Sequence, residues 1–310
     1  MTKLQRLQGV LPIVHTPFTE ADEIDRAALA REIEFIIAVG SDGYGTGMVS
    51  ELLRLTFEER LAYTELLVEL AAGRVPVFVS VGAESGKQAV EYAKHAERSG
   101  CAAVMAVPPL SVRLGAAMLA DYYTALAEAI ALPIIVQDAS GYVGQAIPLA
   151  VYEQLLARFG EEKIVFKPEA SPIGPNLSAL RDATGGKAKI FEGSGGIHLV
   201  DSFRRGIAGT MPGVDLLDGV VALWRALQTG DEAATYRLSF PISALVALQL
   251  QAGLDGFLAI EKYLLVKRGL FTSERRRKPY SWELDAETAA EVDRLFAILT
   301  AALPNPPLGR

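Results

Sequence analysis

Cysteine is almost missing from this 310-residue chain, where Cys101 stands alone. A single thiol cannot close an internal disulfide, so a reducing, cytoplasmic setting is expected. Long apolar runs are missing too. No stretch reaches the roughly 18–20 residues that cross a bilayer. The opening MTKLQRLQGVLPIVHTPF lacks the apolar core and small-residue cleavage site of a secretory leader. No membrane partner is therefore expected. Positive charge is in deficit, with 30 Lys and Arg against 37 Asp and Glu and a net charge of −7. A duplex-binding protein needs a clustered basic face. The one concentrated run, Arg275-Arg276-Arg277-Lys278 before Pro279, reads as a solvated loop, so nucleic acid is not expected as a partner. Histidine is scarce: His15 falls at a strand end, where it could contact a substrate, and His95 and His198 fall on predicted helices. None has metal-ligand spacing, so no metal and no cofactor are expected. Asp42, Glu51, Asp138, Glu169 and Glu192 could converge at strand ends, which keeps a metal-dependent aldolase as an alternative.

Apolar residues are plentiful, at 50% of the chain against 22% charged, enough for a sizeable core. Short β-like runs recur at 10–14, 42–46, 75–81, 102–107, 133–137, 164–167, 189–192 and 207–211. Between them apolar residues repeat at helical spacing, as in Leu29, Ile33, Ile36 and Ile37, or Leu61, Leu66, Leu67 and Leu70. Eight strand–helix units predict a parallel sheet closed into a (β/α)8 TIM barrel over 1–230, with an open doubly wound sheet as the alternative. The strand runs are apolar almost throughout, as sheets covered on both faces require. Prolines at 17, 108, 109, 168 and 212 mark their ends, because proline cannot donate a ladder hydrogen bond. Those ends are the C-terminal mouth, where barrel enzymes keep their chemistry. Beyond residue 230 three helical stretches near 231–250, 254–268 and 285–303 predict a C-terminal helical extension over 231–310. The stretch Gly43-Tyr44-Gly45-Thr46-Gly47 lacks dinucleotide-binding spacing.

Lys167 ends the otherwise apolar run Lys163-Ile164-Val165-Phe166-Lys167-Pro168-Glu169. An ordinary lysine, with pKa about 10.4, is only ~0.04% neutral at pH 7, and desolvation raises that fraction about tenfold per pKa unit. A neutral amine can attack a ketone and form an iminium, which acidifies the adjacent carbon. The competing reading is a structural lysine paired with Glu169 or another carboxylate. Strand alternation would put Lys167 and Glu169 on one side, unless Pro168 breaks it.

Several segments resemble the dihydrodipicolinate synthase / N-acetylneuraminate lyase family. They are Val10-Leu-Pro-Ile-Val-His-Thr-Pro-Phe18, Gly47-Met-Val-Ser-Glu51 with Leu55-Thr-Phe-Glu-Glu-Arg60, Leu132-Pro-Ile-Ile-Val-Gln-Asp138, Phe166-Lys167 and Gly206-Ile-Ala-Gly-Thr-Met211. The resemblance implies a Schiff-base lyase in which Lys167 holds a 2-oxo acid, and a homo-oligomer, tetramer or dimer, for which 108–113 is a candidate interface segment. It also exposes departures. The family's Gly-Thr-Thr-Gly-Glu carboxylate loop reads Gly47-Met48-Val49-Ser50-Glu51, leaving the amides near Val49 and Ser50 and the Ser50 hydroxyl for the substrate carboxylate. The tyrosine at the end of strand five is Gln137, which cannot act as acid or base near neutral pH. The tyrosine after strand four is missing from Pro108-Pro109-Leu110, and the synthases' arginine after strand five aligns with Tyr142. These losses point away from synthase-type condensation, while Val136-Gln137-Asp138 and the Ser50-Glu51 turn resemble relatives that dehydrate 2-keto-3-deoxy sugar acids such as L-2-keto-3-deoxyarabonate.

With those tyrosines gone, Glu51 and Glu169 are the first candidates for moving protons, followed by Asp138. Gln137 is a further catalytic-site candidate. Gly193, in Gly193-Ser194-Gly195-Gly196 after strand seven, is a candidate anion contact. Retro-aldol cleavage would use the same iminium. A barrel that binds a 2-oxo acid without turning it over is the alternative of another class.

Overall fold

The computed structural model describes residues 7–303. Its strands are β1 (Gly9–Val10), β2 (Tyr44–Gly45), β3 (Val77–Ser80), β4 (Ala103–Ala106), β5 (Ile134–Asp138), β6 (Ile164–Pro168), β7 (Phe191–Glu192) and β8 (Gly209–Thr210). Each overlaps one of the eight runs expected from the sequence. Helices α1 (Arg26–Val39), α2 (Phe57–Ala71), α3 (Gly86–Ser99), α4 (Ala116–Ala129), α5 (Leu149–Phe159), α6 (Ile173–Ala183), α7 (Leu199–Arg204) and α8 (Leu217–Thr229) alternate with them. Then come α9 (Glu232–Leu250), α10 (Gly253–Lys267) and α11 (Ala286–Ala302). His95 lies on α3, whereas His198 sits in the turn just before α7 rather than on a helix.

Local chemistry starts these helices where they start. Asp25 accepts from the amides of Ala27 and Ala28 ahead of α1. Thr56 and Glu59 form a reciprocal capping box at α2, and Ser85 accepts from Gln88 N at α3. Each cap satisfies amides that a first turn leaves without partners, for about 1 kcal/mol.

The residues fall into two compact units. The first, built on Thr56–Gly193 and Asp201–Gly209, holds β3 to β6 as a parallel sheet with Val79 opposite Val104, Met105 opposite Ile135 and Gln137 opposite Lys167. Phe166 also bridges in parallel to Ile190, ahead of β7. Its core is Phe78, Met105, Tyr123, Ile135 and Phe166, all fully buried. β6 ends at Pro168, as the proline punctuation predicts. Phe166 N–H donates to Lys189 O on one side, and Glu169 N–H donates to Asp138 O on the other. Odd-numbered amides therefore face β5, and the proline gives up a bond only on the β7 side, where the neighbouring strand is short.

The second unit, built on Gly9–Leu55, Ser194–Val200 and Thr210 onward, gathers β1 and β2 with the C-terminal helices. Leu11 N–H donates to Thr210 O, and Ile13 bridges in parallel to both Gly45 and Gly213. Helix α9 packs against α8, α10 and α11. The basic run at 275–278 is a loop, as expected, and it is tied down at several points. Lys262 Nζ donates to Arg275 O, Arg277 N–H donates to Glu51, and the Arg277 guanidinium lies 4.5 Å from the Phe18 ring. Arg275, Arg276 and Arg277 remain half-buried and Lys278 exposed, and Arg275 pairs with the exposed Glu20. Among the described residues no helix is long and apolar enough to cross a membrane.

Candidate active site

Lys167, near the end of β6, and Glu169, just past it, lie on one side, and Gln137 stands beside Lys167 in the register. Lys167 and Glu169 are each only 3% exposed, and Lys167 Nζ lies 3.4 Å from Glu169 Oε2. Gln137 Nε2 donates to Glu169 Oε2 at 2.7 Å, and the Tyr142 hydroxyl donates to Oε1 at 3.0 Å. Burial pushes the Glu169 carboxyl above its ordinary range. The Lys167 charge and the Gln137 and Tyr142 donors pull it back, and the nearby Glu192 raises it again. The result is an amine, a carboxyl that holds its proton more readily than usual, and a phenol in one contiguous cluster.

Sequence reasoning missed Tyr142 as a site residue and treated the position only as a lost arginine. The phenol enters from the loop after β5. Tyr142 and Val143 N–H both donate to Ala139 O, and Asp138 accepts from Ser140 N at 2.9 Å and from Ile147 N at 2.7 Å. A Cβ on Gly141 would stand 2.8 Å from Glu169 O, so glycine lets this loop lie against the end of β6. The readable signal was a tyrosine between two glycines, Gly141 and Gly144, just past a strand end.

The structure reassigns several expected site residues. Asp138 spends its carboxylate on the loop amides and on Tyr152 OH at 3.4 Å, so it shapes the loop that carries Tyr142. Gly193 works by having no side chain, because a Cβ there would lie 2.3 Å from Lys167 Cε and 2.5 Å from Glu169 Oε1. Its lack of a side chain makes room for the amine and the carboxyl.

In the second unit, Glu51 has both oxygens engaged: Oε1 by Lys262 Nζ, and Oε2 by Arg277 N–H at 2.9 Å and Arg54 Nη1 at 3.3 Å. Both oxygens of this buried carboxylate are thus paired within the second unit. His15 has neither ring nitrogen left for a substrate. Nδ1 meets Glu32 at 2.9 Å and Nε2 meets Glu261 at 2.7 Å, in a fully buried setting. The Ser50 hydroxyl donates to Val14 O at 2.5 Å and accepts from Gly47 N at 3.1 Å, and its amide donates to Gly47 O. Of the expected carboxylate loop, Val49 is partly exposed in the middle of the short 3-10 turn Met48–Ser50. Among the described residues, no group of three or more His, Cys, Asp or Glu is placed to hold a metal ion.

The chain matches the dihydrodipicolinate synthetase family over residues 6–298. It is 32% identical over 295 residues to the L-2-keto-3-deoxyarabonate dehydratase of Azospirillum brasilense, covering 93% of each protein. A second relative is the "Probable 2-dehydro-3-deoxy-D-pentonate aldolase" of Escherichia coli, 25% identical over 96% of this chain and 98% of that one. Among solved structures, dihydrodipicolinate synthase from Rhodopseudomonas palustris aligns with a TM-score of 0.84 at 26% identity, over 95% of this chain and 98% of that one. The fold class is thus the (β/α)8 barrel with a C-terminal helical extension, and the open doubly wound alternative is set aside.

Proposed function

The chain belongs to the dihydrodipicolinate synthetase family of lyases, and from that premise we propose that it dehydrates a 2-keto-3-deoxy sugar acid of the L-2-keto-3-deoxyarabonate type through a Schiff base on Lys167. The observation that carries the reading is Glu169: fully buried, 3.4 Å from the Lys167 amine and raised above the usual carboxylate range. Lys167 Nζ attacks the C2 carbonyl, and water leaves to give an iminium. Glu169 then removes a C3 proton and an enamine forms. The enamine expels the C4 hydroxyl as water, and hydrolysis of the conjugated iminium frees Lys167. Gln137 orients Glu169 without exchanging a proton, as an amide must. Val49 is retained as the proposed amide contact for the C1 carboxylate. A homotetramer or dimer is likewise proposed, with light scattering as its check.

The test is incubation with pyruvate, borohydride reduction and peptide mass spectrometry, with Lys167→Ala as the control. The expected adduct sits on Lys167, and the intact enzyme removes water from 2-keto-3-deoxy pentonates. Folded protein that forms no adduct with pyruvate or any longer 2-oxo acid has no Schiff-base mechanism. Retro-aldol cleavage is the second reading, favoured by the aldolase relative. It is recognised by release of pyruvate and an aldehyde from the same substrates.

A further inference from the structure

We propose that Tyr142 donates the proton to the hydroxyl leaving C4, acting as a couple with Glu169. The inference rests on the dehydratase reading of Lys167 and supplies the acid which that reading leaves unassigned. Elimination across C3–C4 needs a base at one carbon and an acid at the next. C3 of an iminium on Lys167 is two bonds from Nζ, and Nζ lies 3.4 Å from Glu169 Oε2, so Glu169 is in reach of the C3 proton. Lys167, Gln137 and Tyr142 each contact the Glu169 carboxyl. Lys167 is committed to the iminium, and Gln137 cannot release a proton near neutral pH. That leaves the Tyr142 phenol, 3.0 Å from Glu169 Oε1.

The surroundings hold the phenol in place. Asp138 ties both ends of its loop, and the close approach at Gly141 seats that loop against Glu169 O. Gln137 Nε2, on Glu169 Oε2, also reaches the Tyr142 oxygen at 3.4 Å. One amide thus braces both members of the couple.

The step balances without any co-reactant. The C3–H bond breaks, its electrons form the C2–C3 enamine double bond, and its proton goes to Glu169. The C4–O bond breaks as those electrons move to C3–C4, and the departing oxygen takes the phenolic proton and leaves as water. The Tyr142 oxygen then recovers a proton from Glu169 across their hydrogen bond. Both side chains end as they began.

The test compares wild type, Tyr142→Phe and Glu169→Gln in three assays. These are borohydride trapping of pyruvate on Lys167, exchange of pyruvate methyl protons into D2O, and dehydration of L-2-keto-3-deoxyarabonate. Exchange needs the base but no leaving group. Tyr142→Phe is expected to trap pyruvate, which also reports a folded site, and to exchange methyl protons while losing about 10²- to 10⁴-fold in dehydration kcat. Glu169→Gln is expected to lose exchange and dehydration together. Dehydration by Tyr142→Phe within about threefold of wild type overturns the donor role. So does loss of exchange in step with dehydration, which makes the phenol a brace for Glu169 only. Wild type that traps pyruvate but only cleaves its substrate overturns the donor role and leaves the Schiff base standing. Wild type that neither traps pyruvate nor turns over a 2-keto-3-deoxy acid removes the underlying function as well.

Discussion

Glu169 takes its character from competing neighbours. Burial favours the neutral acid, while Lys167, Gln137 and Tyr142 favour the carboxylate. The base must be ionised to take the C3 proton, so activity should fall on the acid side as Glu169 becomes protonated. Gln137→Leu removes a donor that stabilises the carboxylate, which raises the Glu169 pKa further. The acid limb of kcat should therefore move to higher pH, with more activity lost at pH 6 than at pH 8. A full pH–rate profile of the variant checks the sign. Gly193 makes a steric prediction. Gly193→Ala puts a methyl within 2.3 Å of Lys167 Cε, the far end of a flexible side chain. The fold should survive, the amine should be displaced, and activity should fall on the order of 10²-fold, as ångström-scale misplacement does. An unchanged melting temperature with slow pyruvate trapping is the expected pair of readings.

At the scale of elements, α10 carries ionic groups where a core helix usually carries aliphatic ones. Lys262 is fully buried and donates to Glu51, to Thr16 O at 2.8 Å and to Arg275 O at 2.7 Å. Burial lowers its pKa, and Glu51 opposes that. The cation therefore ties α10 to the turn at Glu51 and to the 275–278 strap within the second unit. Lys262→Met keeps the volume but leaves Glu51 buried with only Arg54 and the Arg277 amide. Removing one partner of a buried pair costs about 3–5 kcal/mol, and those two donors should hold the loss near the lower end. Denaturant unfolding of the variant measures it. The pairing also gives the Glu of the family-like loop a role that its local sequence does not show. The residue type and position were read correctly, but its partner lies 211 residues away.

For the whole molecule, a buried ionic cluster in the second unit sets how stability responds to pH. Burial pulls the His15 pKa down, but the charge and hydrogen bond of Glu261, joined by Glu32, outweigh it and raise the pKa to about 10. Asp215 is pushed up to about 7 by burial and by Glu261. Both values are raised, so in each case the folded state binds the proton more tightly than the unfolded chain does. The Asp215 contribution is lost as pH climbs towards 7, and the His15 contribution as pH climbs from 6.5 through 10. Between pH 6.5 and 10 unfolding free energy should fall by about 1.4 kcal/mol per pH unit from His15 alone. His15→Asn should be less stable at pH 6.5 and show a flatter slope. Equal slopes in the two proteins would remove His15 as the cause.

Periodicity and punctuation determined the eight strands, the alternating helices, the three C-terminal helices and the place of Lys167 at the end of β6, because these depend on neighbours a few residues apart. Alternation suggested that Lys167 and Glu169 share one side, and the structure decided that Pro168 does not break it. Only the tertiary structure decided what the other polar residues do. His15 meets Glu261 across 246 residues, Glu51 meets Lys262, and Tyr142 meets Glu169 because Asp138 and Gly141 shape one loop. A buried polar group takes its function from whichever partner satisfies it, and that partner comes from folding rather than from local pattern.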